Sequence, residues 1–100
     1  LDGIQYVVAF HAAPRSTIYH VETRDAGFIT QEGIRVGSPY DEVAEAAVES
    51  RLINQRFVPC AVCLPSGWAA AFDVEKSCKK RRVKAASVRM LFKRERVCGE

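Results

Sequence analysis

The chain has 100 residues, 48% of them hydrophobic, and a net charge of +3. That suffices for one domain with a single modest core, and no apolar run approaches the roughly 18 residues of a membrane-spanning helix. The charge is uneven: residues 1–72 carry five Lys or Arg against eight Asp or Glu, and residues 73–100 carry ten against four.

In chain order, residues 4–11 alternate, with Ile4, Tyr6, Val8 and Phe10 on one side and Gln5, Val7, Ala9 and His11 on the other. This is the period of a half-buried strand. Pro14 cannot donate to a ladder, so residues 12–16 form a loop. Residues 17–24 resume the alternation, with Tyr19 and Val21 on one face and Ile18 and His20 on the other. The short link makes an antiparallel hairpin the simplest pairing. Asp25, Ala26 and Gly27 read as a turn, and residues 28–30 as a short extended piece.

Residues 30–50 are the longest helical signal. Ser38 is the expected N-cap, with Asp41 completing a weak capping box and Pro39 at the first helical position. Tyr40, Val43, Ala44, Ala47 and Val48 form one apolar stripe, while Asp41, Glu42, Glu45 and Glu49 face away. Residues 51–58 then read as a strand with Ile53 and Phe57 inward, and residues 59–67 as a loop holding Cys60, Cys63, Pro65 and Gly67. Residues 68–74 form a strand with Trp68, Ala70, Phe72 and Val74 on one face and Ala69, Ala71 and Asp73 on the other. Residues 75–84 are a charged connector with Cys78. Residues 85–94 close the sheet, with Ala86, Val88, Met90 and Phe92 inward and Ser87, Arg89 and Lys93 outward; residues 97–100 are a tail. The order β-β-α-β-β-β predicts an α+β domain, one helix packed on a mainly antiparallel sheet of about five strands, with the other sheet face more polar.

The four cysteines, Cys60, Cys63, Cys78 and Cys98, admit three readings. Two structural disulfides fit an oxidising compartment, and all three connectivities are open. A Cys60–Cys63 bridge closes a loop too short to restrict the unfolded chain much. Pairing one of that couple with Cys98 and the other with Cys78 ties the tail and the connector to the loop at 60–67. A zinc site finds only half its spacing in Cys60 and Cys63, since Cys78 and Cys98 are a whole strand apart. A redox CxxC wants a helix directly after it, and a strand follows here.

Catalytic chemistry is weak. His11 and His20 lie on adjacent strands with no Asp, Glu or Cys beside both, and Ser16, Ser38 and Ser66 lack a nucleophile elbow. GIRVGS lacks the lysine of a P-loop, so its glycines serve a turn. No catalytic residue, metal or cofactor is expected. The basic loop formed by Lys76, Lys79, Lys80, Arg81, Arg82 and Lys84 is the strongest charge feature and suits an acidic protein partner. The modest net charge, and aromatics assigned to the core, argue against nucleic acid.

The stretch ETRDAGFITQEGIRVGSPYDEVAEA resembles a pattern in small exported bacterial domains, in which a strand passes through a Thr-x-x-Gly-Ile-x-Val-Gly turn into a short helix and then a meander of strands. Thr30, Gly33, Ile34, Val36 and Gly37 match the turn, and Tyr40 and Val43 the helix. Residues 67–73 are similar to a Gly-x-x-Phe strand of those domains, and residues 88–92 to their closing strand. The scaffold is similar to one used by periplasmic lipoproteins, assembly factors and inhibitor proteins. Cys60, Cys63 and the basic connector depart from it.

The resemblance implies a periplasmic or secreted location and brings no catalytic residue. A first residue, Leu1, that is not methionine fits a removed signal peptide or a trimmed boundary. The expected function is non-catalytic protein or envelope binding through the outer sheet face or the loops at 60–67 and 75–84. Inhibition of a hydrolase is one form of it, with the basic loop approaching an acidic cleft or Trp68 filling one. The competing expectation is an intracellular zinc- or nucleic-acid-binding module.

Overall fold

The computed structural model describes residues 3–10, 18–47, 52–55, 58–72, 83–95 and 97–98. Over these, the apolar alternation of the sequence resolves into a six-stranded sheet carrying one helix. The strands are β1 (Val7–Phe10), β2 (Ile18–Thr23), β3 (Leu52–Gln55), β4 (Val58–Cys63), β5 (Ala69–Phe72) and β6 (Val88–Arg94); the helix α1 (Tyr40–Ala46) falls between β2 and β3. Every pairing is antiparallel and the spatial order is β1-β2-β6-β5-β4-β3. The expected α+β class therefore holds, with one strand more than about five.

The additional strand is β4. The sequence places a loop from Pro59 onward, but residues 59–63 belong to β4, which turns back on β3. Proline is tolerated because it stands near the start of the strand, before the Ala61, Val62 and Cys63 pairs with β5 begin. The true loop is residues 64–67, closed by the Leu64 N–H on Trp68 O (2.8 Å) and the Gly67 N–H on Leu64 O (2.9 Å).

The helix is shorter and differently capped than its sequence suggests. Pro39, in extended conformation, is the N-cap, and no side chain caps the first turn. Ser38 is occupied elsewhere: its Oγ accepts from the Arg35 N–H (3.1 Å) and its carbonyl from the Val88 N–H (2.8 Å). The serine thus closes the turn before the helix and stitches it to β6. Gly37, at φ 102, supplies the left-handed residue and donates its N–H to Val88 O (2.8 Å). At the far end Ala47 is extended, so the helix stops after seven residues. Val48, Glu49, Phe57, Val74 and His11 lie outside the described residues.

Tyr40 and Val43 of α1 are buried with Ile34 against Val62, Ala70, Phe72, Val88 and Leu91, and the Tyr40 and Phe72 rings meet at 5.6 Å. The opposite face is apolar too, which corrects the expectation of a polar side. Ala61, Ala69, Ala71, Met90, Phe92 and Cys98 form a second buried cluster there, with Cys63, Ile53 and Val97 at its margin. The closing strand consequently serves both faces. Opposite β5 its register jumps from Met90 to Val88, leaving Arg89 as the extra residue of a bulge. Val88 and Leu91 join the helix side, whereas Met90 and Phe92 join the other, so the expected single inward row of Val88, Met90 and Phe92 is split.

Candidate interaction surface

Past β2 the sheet outruns its cover. Neither buried cluster includes a residue of β1, and among the described residues four of the five exposed large hydrophobics lie on β1 and β2: Val7, Val8, Phe10 and Ile18. The sequence makes β1 half-buried, yet Val8 and Phe10 are exposed because the seven-residue helix is packed over β4, β5 and β6. Val8 lies opposite Val21 and Phe10 opposite Ile18, the register skipping Tyr19. Directly opposed residues share a face, so Val8, Val21, Phe10 and Ile18 form one apolar strip.

The base of this hairpin is held by polar groups. The Thr23 hydroxyl donates to Gln5 O (2.7 Å) and accepts from the Asp25 N–H (3.1 Å). Asp25 Oδ2 accepts from the Gln5 N–H (3.1 Å) and Oδ1 from the Gly27 N–H (2.8 Å). An open cleft of about 440 Å³ lies here, walled by Gln5, Tyr6, Val7, Glu22, Thr23 and Asp25 among others. Asp25 spends both carboxylate oxygens on the backbone that shapes the cleft.

His20 lies on the opposite face from the strip. Its ring stacks on Phe92 (6.0 Å, 27°), Nε2 meets Glu22 Oε1 at 2.9 Å, and Arg94 Nη1 approaches Nδ1 at 3.5 Å. Arg94 also covers the Tyr19 ring at 5.2 Å. An arginine can only donate, so this network assigns Nδ1 as acceptor and Nε2–H as the donor to Glu22. The sequence shows no acid beside both histidines. Glu22 stands two residues along the same strand, and a period of two puts it on the face of His20. That signal was available; the Arg94 contact comes only from β2 pairing with β6.

Lys84 is exposed, and Lys76, Lys79, Lys80, Arg81, Arg82 and Cys78 lie outside the described residues. Trp68 is half-buried just before β5, its ring 4.8 Å from Phe28, which in turn meets Tyr6 at 5.8 Å. Its loop is fixed by Glu32, whose carboxylate accepts the Ser66 N–H (2.6 Å) and the Ser66 hydroxyl (2.8 Å). Burial alone would raise the Glu32 pKa. The hydrogen bonds from Ser66, its own backbone and Thr30 outweigh it and hold the group below the usual carboxylate value.

Cys63 is bonded to Cys98, 35 residues away, which ties the tail across the face opposite the helix. Cys60 is buried and also disulfide-bonded. The bridge from Cys63 to Cys98 follows the cross-tie that the sequence allowed. In this bonded state Cys63 and Cys98 offer no thiolate to the four-cysteine zinc set of Cys60, Cys63, Cys78 and Cys98.

These features define a class: a small α+β domain in which, among the described residues, one helix lies on a six-stranded antiparallel sheet and one hairpin is uncovered. Comparison with protein-family models, curated proteins and solved structures finds no match for the chain. Among the described residues no three His, Cys, Asp or Glu are grouped to hold a metal ion, and no helix is long and apolar enough to cross a membrane.

Proposed function

We propose that this is a non-catalytic, exported domain whose work is to bind protein, and that β1 is its contact edge. The observation that carries the reading is the concentration of Val7, Val8, Phe10 and Ile18 on a hairpin that, among the described residues, the core leaves uncovered. Edge strands carry unpaired backbone N–H and C=O groups, so an extended segment of a partner gains a hydrogen-bonded ladder as well as apolar contact. Export is supported by the Cys63–Cys98 bridge and the bonded state of Cys60, since such bonds persist in oxidising compartments.

Two measurements test this. Extended peptides selected from a random library against the oxidised domain should shift the backbone NMR resonances of residues 7–10 and 18–21 and lose affinity on Phe10→Glu. Binders that map to the helix face, with β1 silent, overturn the contact edge. Intact mass with and without thiol alkylation, on protein isolated from its native source without reductant, should show no free thiol. Four alkylated thiols overturn export.

A further inference from the structure

The sheet has two edges, and they are protected differently. At one edge β3 reads Leu-Ile-Asn-Gln, is flanked in sequence by Arg51 and Arg56, and breaks register between Ile53 and Gln55. Polar residues, nearby charge and irregularity are the devices by which edges resist further pairing. At the other edge β1 reads Val-Val-Ala-Phe, and no Asp, Glu, Lys or Arg occurs between Asp2 and Arg15. The hairpin has an irregularity, but its extra residue is Tyr19 in β2, so β1 pairs without a bulge of its own. Val7 and Phe10, on opposite faces of this strand, are 61% and 58% exposed.

We propose that β1 pairs antiparallel with β1 of a second copy of this chain, joining two sheets across a two-fold axis. The inference rests on β1 being the contact edge and names what occupies it. A two-fold interface sets each residue near the axis against its own equivalent, so any charge there meets a like charge. An uncharged β1 meets that condition, in a chain where 27% of residues are charged. The same pairing buries Val8 and Phe10 on one face and Val7 on the other. It also closes: a β1-to-β3 contact would be head-to-tail and would propagate, and the polar, irregular β3 edge opposes it. A four-residue edge buries less than the roughly 800 Å² per partner of a standard interface, so the dimer is a weak, concentration-dependent one.

The test is sedimentation velocity on the intact, oxidised chain from about 10 μM to 1 mM, a range suited to weak association, with amide hydrogen exchange at each concentration. Dimer mass should grow with concentration, and the β1 amides that point away from β2 should become protected in step with it. Val7→Lys and Val7→Glu should each weaken dimerisation at least tenfold. An equimolar mixture of the two should recover it, which a variant that merely misfolds cannot do. A wild-type chain monomeric at 1 mM overturns the proposal, as does a dimer whose β1 amides stay unprotected or which ignores both substitutions. If the chain is monomeric while selected peptides still perturb residues 7–10, self-pairing falls and the contact edge stands. If nothing engages β1, both fall.

Discussion

Two tetrapeptides of nearly the same character have opposite fates in this sheet. β5, Ala-Ala-Ala-Phe, is buried along its whole length, while β1, Val-Val-Ala-Phe, is exposed at three of four positions. The more hydrophobic strand is the less buried. The difference lies in neighbours: β5 is flanked by β4 and β6, with the helix cluster on one face and the disulfide-tied tail on the other. β1 is paired with β2 at the sheet edge, and among the described residues neither buried cluster includes any part of it. Burial here is a property of place in the sheet, and a strand left bare despite its composition is a candidate for contact with something else.

The contrast can be broken most strongly at the two phenylalanines. Phe72→Ala should cost about 3–5 kcal/mol, because it leaves a cavity against Tyr40 under a layer that cannot collapse. Urea unfolding of that variant at a concentration where the chain is monomeric reads it directly. Removing the covalent tie over the covered half comes next: Cys63→Ala with Cys98→Ala should cost about 3–4 kcal/mol for a bridge spanning 35 residues, read as a lower urea midpoint.

Glu32→Gln should cost about 1 kcal/mol or less, since the Ser66 bonds are partly solvated. Its pH dependence is the sharper readout. The folded pKa of Glu32 lies below its ordinary 4.5, so the stabilisation is present above that value and is lost as pH falls through the lower, folded one. Unfolding midpoints of wild type and Glu32→Gln should therefore differ at pH 6 and converge as pH falls through the lowered, folded pKa of Glu32. Smallest of all, Phe10→Ala should change monomer stability by no more than about 0.5 kcal/mol despite deleting a whole ring. A loss comparable to that of Phe72→Ala would show that β1 is covered after all.

Much of the architecture was legible. The β1–β2 hairpin, α1, β5 and β6 all lie inside stretches whose periodicity marks them, and Asp41, Glu42 and Glu45 are exposed as their positions on the helix require. What misled was local chemistry serving a distant partner. Ser38 looks like an N-cap, but its Oγ and carbonyl are used by Arg35 and Val88. Pro59 looks like a loop residue, but it sits where β5 does not yet pair with its strand. The row from Val88 to Phe92 looks one-faced, but a bulge at Arg89 turns half of it over. Of the candidate site, the apolar character of β1 was visible and its exposure was not. The tie between Glu32 and Ser66 spans 34 residues, and no local pattern announces it.

The sequence by itself determined where β1, β2, β3, β5, β6 and the helix form, though not β4, because period and turn chemistry act within a few residues of each position. It also determined that β1 carries no charge. Only the tertiary structure decided that Cys63 meets Cys98, that both faces of β5 are covered, and that β1 stands at an edge beyond the reach of α1. Those outcomes depend on which strands become neighbours and on how far a seven-residue helix extends, and neither is encoded within any single segment.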